Sequence, residues 1–341
     1  MRAALSLRSD LSWISESQTP LSDLRSQPAP PRRHVRTAAL HLSGACVGAP
    51  AGMIHPLSWA VSLLTLVFYV SLSWLLQLAF FRDGEVAARW RLQPSVAPSV
   101  DASLLPWLAV LRRKPGVAAS PPGAAVMATA NTLLAAAAAG FTAEAALRGA
   151  SSLHDAAPAG AAGWAAAASA LVLSIALQSV AEYYWHRAMH TRLLYANFHF
   201  IHHANRSPTP FDDMCIHPLE ALGYYCILYS PAFLVRQHWA VFLVYMAVMG
   251  VLGIVDHSGV RLSFLGVYAS ADHDLHHSAF CVNYSFPFPV MDIMHNTYDG
   301  EFCGRRYRSA RRGGAGAYRG DGFGETSGKR AAAAVTRGKT D

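Results

Sequence analysis

Charge is scarce in this chain. Asp, Glu, Lys and Arg together supply 14% of its 341 residues, against about a quarter in a soluble domain. Hydrophobic residues supply 52% and the mean hydropathy is +0.22. The apolar residues come in runs rather than in amphipathic stripes, which excludes an ordinary soluble domain and points to an integral membrane protein. Cysteine is scarce as well. Cys46, Cys215, Cys226, Cys281 and Cys303 are scattered, odd in number and without a C-x-x-C pair, so the chain offers neither a disulfide framework nor a Cys-based zinc site. The shortage of acidic residues leaves a formal charge of +7, but the basic residues sit mostly in the tails and beside apolar runs, with no recognition motif. No nucleic-acid partner is expected; the basic groups fit a positive-inside or lipid-headgroup role.

Histidine, by contrast, is plentiful, with 16 in the chain. His34, His41, His55 and His154 are isolated and read as helix-surface or satisfied core groups. Eight others fall into three clusters: His186-Arg-Ala-Met-His190, His199-Phe-Ile-His202-His203 and His273-Asp-Leu-His276-His277. Residues three or four apart share one face of a helix, so each cluster, if helical, presents its imidazoles together. Neutral imidazole is the commonest metal ligand, and eight imidazoles packed without a metal would leave many polar nitrogens needing partners. The clusters read as a metal site. One ion takes about four to six ligands, so eight imidazoles imply two neighbouring ions.

Residues 1–56 are rich in Arg, Ser and Pro and read as disordered or as an organelle-targeting region; no short apolar segment with a cleavage site marks a secretory signal. Residues 57–180 read as membrane helices. Leu57 to Phe81 is an uncharged apolar run long enough to cross a hydrocarbon core of about 30 Å. A polar connection over 82–122 leads to a second, Ala-rich span from Ala124 to Leu147 that contains Glu144, with low-complexity filler as the alternative. A third runs from Ala165 to Val180, directly into the first cluster. Leu219–Val235 and Ala240–Val255 are each slightly short for a full crossing. They form a tilted hairpin or a pair that dips into the bilayer, and either geometry returns the third cluster to the face of the first two. Arg187, Arg192, Arg206 and the Arg305–Arg312 group put that face in the cytosol, although the Arg-rich N-terminus then falls on the opposite side. Residues 181–303 form the catalytic unit and 304–341 a disordered basic tail. The expected fold is all-α, an integral membrane bundle of about four to five membrane helices, capped on its cytosolic face by a histidine-rich di-metal site.

A zinc protease of the H-E-x-x-H type needs Glu as general base, and Arg187 stands in that position. A structural zinc site closes with four ligands and needs no membrane scaffold. A His-rich membrane metal transporter or metal-binding protein stays open as a reading from another class, although its ligands would usually lie within the spans, and these clusters begin where a span ends.

The order H-x-x-x-H, H-x-x-H-H, H-x-x-H-H over about residues 180–300 resembles the sterol desaturase/fatty acid hydroxylase superfamily of membrane di-iron oxidases. Arg206-Ser-Pro-Thr-Pro-Phe211, His217-Pro-Leu-Glu220, Asp256-His257-Ser-Gly259 and the run from His276 to Tyr284 with Asp292 downstream are most similar to the C-5 sterol desaturases (lathosterol oxidases). The resemblance implies two Fe ions, O2, and electrons from NAD(P)H through a b-type cytochrome and its reductase. It also implies a sterol or other lipid substrate and an endoplasmic reticulum membrane with the metal site facing the cytosol. Carried over by position, His186, His190, His199, His202, His203, His273, His276 and His277 are the metal ligands, with His257 as a ninth. His217, Glu182, Asp274 and Asp292 are candidates to support them, since carboxylates commonly orient metal-bound imidazoles; a solvated or capping role is open for each. Met291-Asp292 replaces the Trp-Asp pair usual in the family, His295-Asn296-Thr297 replaces a Phe-Gly-Thr-like ending, and Asp272 stands where C-5 desaturases often carry another His. Tyr183, Tyr184, Trp185 and the run Tyr284–Phe288 either line a route for a flat apolar lipid or belong to an interfacial aromatic belt.

The expected activity is O2-dependent C-5 desaturation of a sterol. A lipid hydroxylase or sterol C-4 methyl oxidase of the same superfamily would share every ligand and differ in how substrate is held. A catalytically dead relative would have no need of the intact boxes.

Overall fold

The computed structural model describes residues 53–81, 83–93, 124–204 and 208–309. The expected disorder of the N-terminal region falls outside the described residues, as do most of the basic tail, the connection after Gln93 and Arg206. The helices are α1 (Pro56–Phe81), α2 (Gly84–Trp90), α3 (Ala124–Leu147), α4 (Gly160–Met189), α5 (Arg192–Asn197), α6 (Pro218–Tyr229), α7 (Pro231–Leu234), α8 (Trp239–Asp256), α9 (Ser270–Ala279) and α10 (Val290–Met294). Strand structure is confined to short two-stranded pairs: β1 (Leu153–His154) with β2 (Gln237–His238), β3 (Ser263–Phe264) with β4 (Tyr268–Ala269), and β5 (Gly300–Phe302) with β6 (Arg305–Tyr307). The fold is the helical one that the apolar runs predict.

Among the described residues four helices are long and apolar enough to cross a membrane: α1, α3 from Met127, α4 and α8. The run Leu219–Val235 is not among them. Pro231 follows Ser230 within it and divides it into a helix of 12 residues and one of 4, because proline has no N–H to continue the ladder. Twelve residues rise only about 18 Å. The third span is longer than its apolar core predicts. At 30 residues α4 extends about 45 Å, some 15 Å beyond a hydrocarbon core, and its last turns carry Glu182 and His186.

These helices are built for hydrocarbon. Leu63, Leu64, Val172 and Leu173 are exposed, whereas Ser73, Asn131, Ser174 and Gln178 are buried between helices. In an apolar medium such polar groups need partners inside the protein. Asn131 Nδ2 donates to the carbonyls of Met214 and Ile216, and Tyr225 Oη donates to the Asn131 carbonyl. Glu144, the charge in the second span, accepts from Ser58 Oγ and His55 N and pairs with Arg148. Gly140 brings α3 against α1: an added Cβ would lie 2.1 Å from Ser62 Oγ.

The chain enters α6 beside the histidine clusters, turns near the β1–β2 pair, and returns through α8 to His257, so the short apolar pair does return to the end it left. The tail departs from expectation at its start. Residues 300–307 form a β-hairpin whose turn residues Cys303 and Gly304 both have positive φ, the conformation that two-residue hairpin turns require.

Candidate metal centre

Four segments deliver the histidines. His186 lies in the last turn of α4 and His190 caps its C-terminus. His199, His202 and His203 lie on a 3-10 helix, His199–Ala204. His257 caps the C-terminus of α8, and His273, His276 and His277 lie on α9. The nine side chains sort into two groups, His186, His190, His199, His203 and His276 in one, and His202, His257, His273 and His277 in the other; the candidate ligand atoms of each group lie within 4.8 Å of one another. The sorting explains the two H-x-x-H-H boxes. Adjacent residues point about 100° apart on an α-helix and about 120° apart on a 3-10 helix, so His202 and His203 face different groups, and so do His276 and His277. Each box thus reaches both centres.

In the first group His190 Nε2 stands 3.0 Å from His199 Nε2 and 3.2 Å from the Nε2 of both His203 and His276, while His199 and His203 are 3.1 Å apart. In the second, His257 Nε2 is 3.3 Å from His202 Nε2 and 2.8 Å from His273 Nε2, and His273 is 3.2 Å from His277. A neutral imidazole nitrogen is one donor or one acceptor, so the three mutually touching atoms of His190, His199 and His203 cannot satisfy one another. Two nitrogens bound at about 2.0–2.1 Å to one ion lie about 2.8–3.0 Å apart at a right angle and about 3.3–3.4 Å apart at the tetrahedral angle. The observed separations span that range. His186 Nε2 is buried without a partner among the described residues. Donor set and spacing both fit a pair of transition-metal ions of the kind imidazole suits.

Four of the outward nitrogens are tied down. His186 Nδ1 donates to the Tyr284 carbonyl at 2.8 Å, His276 Nδ1 to that of Val282 at 2.7 Å, and His199 Nδ1 to Glu220 Oε1 at 2.6 Å. His257 Nδ1 lies 3.1 Å from both the Gly253 carbonyl and Asp213 Oδ1. A proton held on Nδ1 leaves the Nε2 lone pair aimed inward. Burial and the neighbouring imidazoles hold His190, His202, His203, His273 and His276 well below the usual histidine range. For His257 burial works in the same direction, but the hydrogen bond and charge of Asp213 outweigh it and raise its pKa.

Glu182, His217, Asp274 and Asp292 are placed otherwise. Glu182 is hydrogen-bonded to Gln178 and borders a cavity. His217 caps α6, its Nδ1 accepting from Leu219 N. Asp274 accepts from Gln93 Nε2, and Asp292 accepts from Ser285 N and Thr297 Oγ1. Among the described residues none of the four is hydrogen-bonded to a box histidine. That position is taken by Glu220 and Asp213, which the sequence reading did not select. A signal for Glu220 was available: His217-Pro-Leu-Glu220 is a helix start, and Glu in a first turn has its side chain near whatever precedes the helix. Asp272, at the position of the absent further His, accepts from Tyr298 Oη. Asn283, in the left-handed region, donates to the carbonyls of Asp272 and Asp299 and so fixes the loop that presents the carbonyls of Val282 and Tyr284.

A cavity of about 70 Å³ reaches both groups, bordered by His186 and His199 of the first and by His202, His257 and His273 of the second. Of the aromatic residues considered as a lipid route, Trp185, Tyr284 and Phe286 line it, whereas Tyr184 is exposed.

Residues 171–297 match the fatty acid hydroxylase family model. The chain is 34% identical over 135 residues to a very-long-chain aldehyde decarbonylase, GL1-6, of Oryza sativa subsp. indica, an alignment covering 34% of this chain and 21% of that protein. It is 32% identical over 117 residues, 34% of each chain, to the Delta(7)-sterol 5(6)-desaturase ERG3A of Gibberella zeae. A further rice decarbonylase, GL1-8, is 30% identical over 144 residues, 39% of this chain and 53% of the relative. The chain thus spans between about a fifth and about half the length of these relatives. No solved structure matches. Residues 171–297, where both histidine groups draw their ligand atoms, are thus similar to the fatty acid hydroxylase family and to curated proteins that include a sterol desaturase and aldehyde decarbonylases.

Proposed function

We propose that this chain is a membrane di-iron oxidase that desaturates a sterol at C-5 with molecular oxygen. The observation that carries the reading is the sorting of nine histidines into two adjoining nitrogen clusters that border a single cavity. His186, His190, His199, His203 and His276 would hold one iron and His202, His257, His273 and His277 the other. When bound, the pair would supply oxygen activation and the two-electron oxidation of an unactivated C–H bond. Desaturation removes two hydrogens from adjacent carbons and, with O2, two electrons and two protons, yields the alkene and two waters; the electrons would come from NAD(P)H through a b-type cytochrome and its reductase.

The chain's own contribution is placement. Glu220, Asp213 and the carbonyls of Tyr284 and Val282 hold the imidazole tautomers. Met214, Ile216 and Phe286 give the cavity an apolar wall, which keeps water from the reacting carbon. Residues 57–180 would anchor a catalytic unit at 181–303, in an endoplasmic reticulum membrane with the metal site facing the cytosol. The similarity to a named sterol desaturase supports the substrate class; a lipid hydroxylase or C-4 methyl oxidase would use the same ligands. A metal transporter is disfavoured, because its ligands would be strung through the spans and these gather at one end of them.

The test is expression in a yeast lacking its C-5 desaturase, beside a His276→Ala, His277→Ala double variant. The expected result is 5,7-diene sterols from the intact chain alone. Purified chain with bound iron but no such sterols would overturn C-5 desaturation and turn the search to hydroxylation products. Purified chain without iron would overturn the oxidase itself.

A further inference from the structure

Besides its histidines, the cavity is lined by two residues with a polar atom that nothing among the described residues satisfies. Trp185 Nε1 and Glu220 Oε2 are both buried without a hydrogen-bond partner among the described residues, and both side chains line the cavity. Neither is free to turn away. Glu220 is held through its other oxygen by His199. The Trp185 indole lies against the bare backbone of Gly223, where an added Cβ would come within 2.2 Å of its Cζ2. One atom is a fixed donor and the other a fixed acceptor. A hydroxyl group can engage both at once, since it accepts through a lone pair and donates its proton. A carbonyl or ether oxygen can only accept. An anionic headgroup is disfavoured, because the acidic side chains of Glu182, Asp213, Glu220 and Asp256 all border the same space.

We propose that this cavity binds a free hydroxyl of a neutral lipid substrate, with Trp185 Nε1–H donating to the oxygen and Glu220 Oε2 accepting its proton. The proposal rests on the oxidase reading and narrows its substrate to lipids with a hydroxyl near the reacting carbon, because His186 and His199 border the same cavity. A sterol meets that requirement: its hydroxyl-bearing C-3 is two bonds from C-5. A long-chain alcohol oxidised near its head would meet it as well. Trp185 acts here as a specificity residue; it is not among the histidines that would hold metal.

The test is equilibrium binding to the full chain, loaded with iron and reconstituted in lipid nanodiscs. The radiolabelled probes are a Δ7-sterol and its 3-O-methyl ether, and octadecanol and its methyl ether. In the pair that contains the natural chemistry, the ether should bind about tenfold more weakly. Glu220→Gln keeps an oxygen for His199 but removes the acceptor that only a hydroxyl can use, so it should remove most of that difference. Trp185→Phe removes a donor that alcohol and ether both accept from, and should weaken both members of the pair. Equal affinity within both pairs for the unmodified chain overturns the proposal without recourse to any variant. So does a difference that survives Glu220→Gln, which would be steric. Oxygen-dependent product with no hydroxyl discrimination would sink this inference alone. Discrimination without iron binding would sink the oxidase reading alone.

Discussion

His199 donates its Nδ1 proton to Glu220 Oε1 at 2.6 Å, with both side chains buried. The bond joins the 3-10 helix of the second box to the first turn of α6 and fixes which nitrogen of His199 faces the first group. Glu220→Ala should therefore weaken metal binding at the first group by about 10–100-fold, and Glu220→Gln less, because the amide oxygen can still accept. Competition with a chromophoric chelator on the purified chain measures this. Equal metal affinity in Glu220→Ala and the unmodified chain would remove the role.

His276 and His277 are neighbours in sequence but face different groups. His276→Ala and His277→Ala should each impair one site and leave the other, lowering bound iron from about two ions per chain towards about one. The double variant should approach none. Elemental analysis of the purified variants decides the matter; a single substitution that empties both sites would show one indivisible cluster instead.

Much of this was legible before any coordinates. Three of the five apolar runs read as spans and are helices long enough to cross, because length and hydropathy alone decide whether a helix suits hydrocarbon. Ala240–Val255 reads as slightly short, and α8 meets the length by starting at Trp239 and ending at Asp256. The eight clustered histidines were legible because metal-ligand spacing on a helix is a local pattern, while His257 is picked out by its place at the end of the short apolar pair; all nine lie in the two groups. What supports them was much less legible. Asp274 and Asp292 lie near the third box in sequence, yet their side chains turn to Gln93 and to Ser285 and Thr297. Glu220 and Asp213 come from segments remote from the first box and act through tertiary contact. Two of the outward partners are backbone carbonyls, which side-chain identity does not encode. The break at Pro231 was written in the sequence but masked by the hydropathy of the residues around it.

Gly140 should be a packing position for the membrane bundle. An added Cβ there meets Ser62 Oγ at 2.1 Å and the Ser58 carbonyl at 3.0 Å, so alanine must turn the Ser62 hydroxyl away and press on the α1 backbone. The cost expected of such overpacking is about 1–3 kcal/mol. Gly140→Ala should lower the thermal midpoint in detergent, and Gly140→Leu should lower it further. An unchanged midpoint for both would mean that α1 and α3 do not approach closely at Gly140.

Removing metal should loosen one end of the molecule and spare the rest. Without an ion, inward lone pairs at His190, His199 and His203 face one another at 3.0–3.2 Å with no proton between them to share. The segments that carry these groups, 190–204 and 257–284, contain short helices that are weak by themselves, so the ion is their cross-link. The spans have their own ladders and their own contacts, such as Ser58 with Glu144. Chelation should therefore expose 190–204 and 257–284 to protease while leaving far-ultraviolet helicity nearly constant. An ion at 100 times its dissociation constant adds about 2.7 kcal/mol of stability, so restoring Fe(II) should return both the thermal midpoint and the protection. Cleavage that ignores chelator and iron alike would mean that the histidine groups hold together without metal, and the two-ion assignment would fall with it.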